Sequence, residues 1–355
     1  LYVSNARARV LAGSTVTSAE AMANGKLALC VNPMSGRDVR RLAARATNMT
    51  HEAKRDIVAR VAAGADAVGV KDIYIAREPF RIAEGALELM KLQAKLHIVD
   101  IPLTNTAKDT VQAIGRFKSA GCHTVVSLGG DGTNRALVGA DSDIDLVPIS
   151  TGTNNVFPAL IEPTLGGMVA GLNTLGKTAD MPESLRPRAK ILYLQTPTGT
   201  DIGLVDAVLL RNDQVGNMLP FDADRLDSML LTRAEPNSVG MSPIGGFIDP
   251  VYAENDWGLW VEMGGDGQRI RAPLSPGHFR EVIVRRVQRT AFDETHTFHG
   301  PGVIALDGDR DHGLQEGDTA SVTLRRDGPR ILDVEGIMRW AVGAGMMASA
   351  ANADP

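Results

Sequence analysis

The chain has 355 residues, of which 44% are hydrophobic and 22% are charged, and its formal net charge is −5. This length is sufficient for two domains with separate cores, and the composition is typical of a globular protein. The negative charge and the lack of a run of lysines and arginines argue against nucleic acid and against an anionic membrane surface. We therefore expect neither nucleic acid nor a membrane as a partner.

The targeting and cysteine signals indicate a reducing compartment. No apolar run approaches the roughly 18 residues of a membrane-spanning helix, and residues 1–24 lack the apolar core of a signal peptide. Cys30 and Cys122 both lie in apolar, strand-like runs, which indicates buried free thiols rather than a disulfide. We expect a cytoplasmic protein and a homo-oligomer, either a dimer or a tetramer.

The first half of the chain alternates short apolar strands with amphipathic helices. The predicted strands are 26–31, 72–76, 97–101, 123–128 and 145–149, and the helices between them include 81–93 and 107–120. Strand–helix alternation predicts a doubly wound α/β domain with a parallel sheet, over residues 25–160. Its ligand loops should lie at the carboxyl ends of the strands.

After about Lys177 the pattern changes to short strands separated by glycine, proline and aspartate turns. The predicted strands are 190–195, 203–210, 228–232, 258–261, 281–286, 303–306 and 319–324. They predict a mostly antiparallel β domain over residues 161–334. The tail 335–351 is rich in alanine and methionine and has helical potential.

The most informative segment is the turn after the predicted strand 123–128. It reads Gly129-Gly130-Asp131-Gly132-Thr133 and leads into a predicted helix from Asn134. We expect the glycines to adopt positive φ and to let a ligand approach the backbone, whose amides would converge on phosphate oxygens. A carboxylate beside phosphate must hold a cation or accept a proton, so Asp131 suggests phosphoryl transfer.

Three further motifs accompany this turn in chain order. The segment 31–36 follows the first strand, the segment 148–158 follows the fifth strand, and 306–309 with 314–318 forms an Asp-Gly…Gly-Asp pattern. Together the four motifs resemble the superfamily of NAD kinases, diacylglycerol kinases and sphingosine kinases over residues 29–323. The second loop is most similar to the acetoin-catabolism branch of the ATP–NAD kinase family.

The resemblance implies ATP and Mg²⁺ as cofactors. It implies that Asp131 activates the acceptor hydroxyl or positions Mg²⁺, and that the C-terminal tail 335–351 packs back on the first domain. The nucleotide-binding residues that it implies are Asn32, Ser35, Gly36, Gly129, Gly130, Gly132, Thr133, Thr151, Gly152, Thr153, Asn154 and Asn155.

The resemblance weakens in the second domain, where the choice of acceptor should be decided. Val205 stands where NAD kinases have an asparagine, and the tyrosine of a later motif is missing around Gly240. The acceptor-binding residues that the resemblance still implies are Asp206, Arg225, Asp227 and Ser238. NAD is the first candidate acceptor, a small polyol or hydroxyketone is the second, and a lipid is the third.

Two hypotheses from different classes follow. The first is an ATP- and Mg²⁺-dependent kinase that phosphorylates a hydroxyl of a soluble small molecule. The alternative is a catalytically weak NAD- or ATP-binding regulatory protein of a catabolic pathway, which the apolar Val205 and the missing tyrosine motivate. A dehydrogenase is disfavoured because Asn32-Pro33 follows the first strand in place of a Gly-x-Gly-x-x-Gly turn.

Some motifs match ligand sites only by their letters. Residues 171–178 fit the P-loop pattern, but the residues before them look helical, and Pro182 and Pro187 interrupt the helix that a P-loop requires. We expect Gly176 to end a helix instead. The aspartates of 307–311 lack the remaining ligands of a calcium loop. The two histidines of 296–299 lack the remaining ligands of a zinc site.

Overall fold

The structure is a computed structural model that describes residues 24–36, 49–152, 155–218 and 221–347. Its first half contains a six-stranded sheet in which every pairing is parallel. The strands are β1 (Lys26–Val31), β2 (Asp72–Ala76), β3 (Lys95–Val99), β4 (Thr124–Gly129), β5 (Asp145–Ser150) and β16 (Arg330–Ile331), in the order β16-β5-β4-β1-β2-β3. The predicted parallel-sheet fold is therefore confirmed.

Helices cover this sheet because its strands are apolar on both faces. They are α1 (His51–Ala67), α2 (Ile82–Leu87), α3 (Ala107–Ser119), α4 (Asp131–Ala140) and α5 (Pro163–Thr174). Thr50 and Thr106 cap α1 and α3 by accepting hydrogen bonds from backbone amides, as helix N-termini require. The predicted helix 81–93 is shorter than expected and ends at Leu87. No helix among the described residues has the length and apolar character to cross a membrane.

Two antiparallel sheets form the second half, as the turn-rich sequence predicted. One has the order β11-β10-β9-β8-β13-β14 and the other β12-β15-β6-β7. The strands are β6 (Ile191–Thr196), β7 (Gly199–Gly203), β8 (Asp206–Leu210), β9 (Leu226–Leu231), β10 (Trp257–Ser275), β11 (His278–Ala291), β12 (Thr295–His299), β13 (Gly302–Leu306), β14 (Asp309–Leu314) and β15 (Thr319–Arg325). A short helix, α6 (Ser242–Gly246), precedes β10.

The hairpin of β10 and β11 differs most from the sequence-based expectation. We predicted short strands at 258–261 and 281–286, yet β10 has 19 residues and β11 has 14. Gly264 and Gly265, both with positive φ, lie where the strand register shifts. Such a bulge lets a strand continue beyond glycines that would otherwise read as its end. The tip of the hairpin consequently reaches the region between the two halves of the chain.

The end of the chain returns to the parallel sheet. Strand β16 pairs with β5. Helix α7 (Val334–Gly343) follows, and its N-cap is Asp333, whose side chain accepts a hydrogen bond from the Gly336 amide. Ile337 packs into the same core as β1 and β2. The described part of the tail therefore lies on the first domain, and residues 348–351 lie outside the described residues. Helix α5 also packs on this sheet, although our domain division at residue 160 placed it in the second domain.

Candidate active site

A cleft of about 370 Å³ lies along the carboxyl ends of the parallel strands. Its walls are the loops that follow β1 to β5, together with the turn between β13 and β14. This edge of an open parallel sheet is where ligand loops converge. The cleft is lined by the predicted residues Asn32, Ser35, Gly36, Gly130, Asp131, Gly132, Thr133, Gly152 and Asn155.

Two predicted nucleotide-binding residues that the structure describes do not line the cleft. Gly129 is the last residue of β4, and Thr151 is buried, with 1% of its surface exposed. Thr153 and Asn154 lie outside the described residues. The structure thus gathers most of the predicted set along one edge of the sheet, and their role toward a nucleotide stays a prediction.

Hydrogen bonds between side chains tie the loops of the cleft together. Asn32 Nδ2 donates to Thr133 Oγ1 over 2.7 Å, which links the loop after β1 to helix α4. The hydroxyl groups of Ser35 and Thr151 are also 2.7 Å apart, which links the same loop to the one after β5. The arrangement of the cleft is therefore established by the protein before any ligand binds, a condition that favours binding.

Two cationic side chains support these loops, and the sequence reasoning missed both roles. Lys54 is fully buried, and its Nζ donates to the carbonyl oxygens of Asn32 and Pro33 over 2.9 and 2.6 Å. Arg233 donates to the Val156 carbonyl over 3.2 Å. Lys54 stands among the apolar residues that form the buried face of α1, and this position was the signal in the sequence. Because an isolated charge is costly to bury, a lysine there indicates a buried partner.

The glycine turn works differently from our prediction. None of Gly129, Gly130 and Gly132 has positive φ, and α4 begins at Asp131 rather than at Asn134. The glycines instead provide space. A Cβ on Gly129 would lie 2.4 Å from Thr133 Cβ, and one on Gly130 would lie 2.9 Å from Asn155 Oδ1. Side chains at these positions would therefore displace the cleft wall.

Asp131 is buried at the first position of α4 and faces the loop after β5. Its carboxyl oxygens accept hydrogen bonds from the Phe157 amide over 2.9 Å and from the Val156 amide over 3.2 Å. Burial and the nearby charge of Asp307 outweigh these bonds and raise the pKa of Asp131 to about 7. A carboxyl group with this pKa can accept a proton near neutral pH, as a general base must.

Two further carboxyl groups from the β domain converge near Asp131. Asp206 begins β8, and Asp307 lies in the turn after β13, where it accepts amide hydrogen bonds from residues 204–206. Burial, then Asp307 and Asp131, raise the pKa of Asp206 well above its ordinary value. Burial also raises the pKa of Asp307. Arg135 lies nearby and forms an ion pair of 3.0 Å with Asp309, a fourth carboxyl group of this region. Its positive charge offsets part of the negative charge of the carboxyl groups.

The carboxyl groups offer oxygen donors of the kind that Mg²⁺ prefers. Asp206 Oδ1 is buried and has no hydrogen-bond partner among the described residues, so this oxygen could bind a metal ion or another ligand. However, no three His, Cys, Asp or Glu side chains of the described residues are placed to hold one metal ion. The donor set therefore fits an Mg²⁺ held by one or two carboxylates, with phosphate oxygens and water completing its coordination.

A second cavity, of about 60 Å³, lies on the other side of Asp131 and Asp307. Of the predicted acceptor residues, only Asp206 lines it. Arg225 pairs with Asp213, Asp227 pairs with Arg211, and Ser238 donates to the Glu235 carbonyl. These three residues line neither cavity, and their side chains are engaged by the partners just named.

The wall of the second cavity includes residues that the sequence reasoning missed. Ser275 and His278 flank the turn between β10 and β11 and both line the cavity. The Pro276-Gly277 dipeptide between them was a recognisable turn signal. The predicted strands 258–261 and 281–286 ended well short of this turn, so the sequence alone did not connect it to a site.

The P-loop lookalike is not a phosphate site in this structure. Gly171 to Thr174 form the last turn of α5, and Gly176 follows with φ of 70°. Lys177 Nζ donates to the Val68 carbonyl over 3.3 Å. The sequence-based expectation of a helix end is confirmed. Both cysteines are buried free thiols, also as expected.

The fold of this chain has relatives among the solved structures. It is similar to that of yeast NADH kinase complexed with NADH, with a TM-score of 0.52 and 13% identity, covering 93% of this chain and 90% of that one. A protein described as a diacylglycerol kinase from Bacillus anthracis str. Sterne aligns with a TM-score of 0.46 and 12% identity, covering 87% and 97% of the two chains. The chain has a kinase-like fold.

Sequence comparison assigns the chain to a family. Residues 190–327 match the model of the acetoin catabolism protein X C-terminal domain. Over 328 residues the chain is 30% identical to acetoin catabolism protein X of Cupriavidus necator, covering 88% of this chain and 91% of that protein. The chain belongs to the acetoin catabolism protein X family. The acetoin-catabolism branch that the motifs indicated is thereby confirmed.

Proposed function

We propose that this protein is an ATP-dependent kinase that phosphorylates a hydroxyl group of a small molecule. The observation that supports this most directly is the position of Asp131, a buried carboxyl group with a pKa of about 7 that lines both cavities. A general base must lie within hydrogen-bond reach of the acceptor hydroxyl, at a place where the oxygen of that hydroxyl can also contact the phosphoryl donor. A wall shared by a large and a small cavity meets that requirement.

The large cleft suits the phosphates of ATP. The first turn of α4 starts at Asp131, and its amides at Gly132 and Thr133 have no partner within the helix. Such amides, with the helix dipole, attract anions. The hydroxyl of Thr133 is already held by Asn32, so the loop after β1 would need little reorganisation on binding.

The reaction that we propose is an in-line phosphoryl transfer. The acceptor oxygen forms a bond to the γ-phosphorus while the bond between that phosphorus and the bridging oxygen of ADP breaks. Asp131 takes the proton of the acceptor hydroxyl and later releases it to solvent. The products are the phosphate ester, ADP and one proton. A positioned base of this kind contributes about 10²–10⁴ to the rate.

The site has many carboxyl groups for a place that receives a triphosphate. Asp131, Asp307 and Asp309 line the cleft, and Asp206 lies next to them. Mg²⁺ bound by phosphate oxygens and by one of these carboxylates would supply the charge neutralisation that phosphoryl transfer requires. Arg135 contributes a fixed positive charge beside Asp309.

The acceptor that the sequence favours first is NAD, followed by a small polyol or hydroxyketone. A regulatory protein that binds NAD or ATP without turnover is the second candidate function. One observation favours it: Val205 is buried in the core instead of facing a ligand, and Arg225 and Asp227 are engaged by other side chains. A site without these contacts would bind NAD less specifically.

Isothermal titration and a coupled ADP-release assay on the purified protein separate the two functions. We expect ATP with Mg²⁺ to bind, and ADP to appear only when an acceptor is present. The acceptor panel is NAD, NADH, polyols and hydroxyketones, with the phosphate ester identified by ³¹P NMR. Binding of ATP and NAD without ADP release from any member of the panel would favour the regulatory protein.

A further inference from the structure

Two side chains in the wall of the second cavity each contain a buried oxygen atom without a hydrogen-bond partner among the described residues. Ser275 is 6% exposed and Asp206 is 7% exposed, and both residues line the cavity. Among the described residues, neither Ser275 Oγ nor Asp206 Oδ1 has a hydrogen-bond partner. Leaving a buried polar group unpaired costs about 1–3 kcal/mol. Two such groups in the wall of one cavity indicate a place where a ligand supplies the missing partners.

The size of the cavity limits that ligand. Its volume is about 60 Å³, and a water-sized group occupies roughly 10–15 Å³ on this measure, so about four to six non-hydrogen atoms fit. A nicotinamide ring with its ribose is larger than this space. The ligand that fills the cavity is therefore a small molecule.

The walls indicate the chemical character of the ligand. Phe221, Val239, Met241 and Leu274 provide an apolar lining. The carboxyl groups of Asp131, Asp206 and Asp307 disfavour an anionic ligand, and among the described residues no lysine or arginine lines the cavity to offset them. A neutral carbon skeleton with oxygen substituents fits both the apolar walls and the two unpaired oxygens.

We propose that the second cavity is the acceptor subsite, and that it takes a neutral polyol or hydroxyketone of about four to six non-hydrogen atoms. This inference rests on the proposed kinase function. One hydroxyl of the acceptor lies at Asp131 and Asp206, where it is phosphorylated. A second oxygen of the acceptor pairs with Ser275 Oγ, which the β10–β11 hairpin brings to the cavity from the far end of the β domain.

Filling the cavity tests this inference. Val239 lies in a loop that lines the cavity, so Val239→Phe should occupy part of the space without disturbing a strand. We expect the KM for dihydroxyacetone, glycerol or acetoin to rise at least about tenfold, with the Kd for ATP unchanged. The matched control is Val342→Phe, at a position that is 62% exposed on α7 and lines neither cavity. It should leave both constants unchanged.

Ser275→Ala provides a second readout that a structural role would not produce. Removing a hydroxyl that lacks a partner should leave Tm unchanged or raise it, because the unpaired group no longer has to be buried. The KM for the small acceptor should nevertheless rise by about three- to tenfold, the value of one hydrogen bond. A fall in Tm without a change in KM would assign Ser275 to the structure and overturn its role in acceptor binding.

The possible outcomes separate this inference from the proposed function. Efficient phosphorylation of NAD, unaffected by Val239→Phe, would support the kinase and overturn the small-acceptor subsite. Binding of glycerol or dihydroxyacetone that Val239→Phe abolishes, without ADP release, would keep the subsite and reject the kinase. Neither binding nor turnover of any small neutral compound, with ATP bound, would overturn the inference.

Discussion

Asp131 of the parallel-sheet domain and Asp307 of the β domain repel each other across the boundary between the two domains. Both carboxyl groups line both cavities. Burial contributes most to the raised pKa of Asp131, and the charge of Asp307 adds to it. Because Asp307 is held by three backbone amides of residues 204–206, its position is determined by the β domain. The docking of the two domains therefore adjusts the proton affinity of the proposed base.

Replacement of Asp131 by asparagine should remove turnover and preserve ATP binding. The amide has nearly the same shape, and its oxygen can still accept the hydrogen bond of the Phe157 amide, but it cannot take the proton of a hydroxyl. We expect kcat to fall by about 10²–10⁴ with the Kd for ATP within about threefold. Asp56→Asn, on the exposed side of α1, is the matched control. Retention of more than half of the kcat would remove Asp131 from the chemistry.

The raised pKa of Asp131 predicts how activity depends on pH. Only the carboxylate accepts a proton, so kcat/KM should be low at acidic pH, rise through an apparent pKa near 7 and then level off. Asp307→Asn removes one neighbouring charge and should shift this apparent pKa downward. A profile that is flat between pH 5 and 9 in the wild-type protein would contradict the prediction.

The same group predicts a change in stability of known sign. A folded-state pKa above the ordinary value of about 4 means that Asp131 stabilises the fold at acidic pH. This contribution is lost as pH rises from about 4 through the folded pKa of about 7. The Tm of the wild-type protein relative to Asp131→Asn should therefore decrease between pH 5 and pH 8, as measured by thermal unfolding. An increase would mean that the folded pKa is not raised.

Gly130→Val should weaken ATP binding at least about tenfold. Its Cβ would lie 2.9 Å from Asn155 Oδ1, so the Asn155 side chain, which lines the cleft, must shift, and the two γ-methyl groups of valine add further bulk beside it. Gly139→Ala in the same helix is the control, since the nearest atom to the new Cβ is 3.7 Å away. It should leave ATP affinity unchanged and stabilise the helix by up to about 1 kcal/mol. Normal ATP affinity of Gly130→Val, measured by titration, would place the phosphates elsewhere.

Lys177→Ala should leave ATP affinity within about threefold of the wild type. Its ammonium group donates to the Val68 carbonyl at the end of α1, on a helix terminus that lies away from the cleft wall. A lysine that bound β- and γ-phosphates would contribute a charge-assisted hydrogen bond, and its removal would lower the ATP affinity far more. A hundredfold loss of affinity would move the proposed phosphate site to residues 171–178.

The amino-acid sequence by itself determined the local parts of this protein. Apolar runs of the correct length identified β1, β2, β4 and β5, because strands that are buried on both faces must be continuously apolar. The Gly-rich turn could be placed at a strand end for the same reason. Gly176 was recognised as a helix end because positive φ there favours glycine.

Only the tertiary structure decided which distant residues meet. Asp131, Asp206 and Asp307 come from three separate segments, and their proximity depends on how β8 and the β13–β14 turn dock against α4. No local pattern records that docking. Ser275 reaches the second cavity because a bulge lengthens the β10–β11 hairpin, and Val205, in the bend between β7 and β8, packs into the core. Local propensity acts over a few residues, whereas the active site is assembled by packing between segments that are more than 70 residues apart.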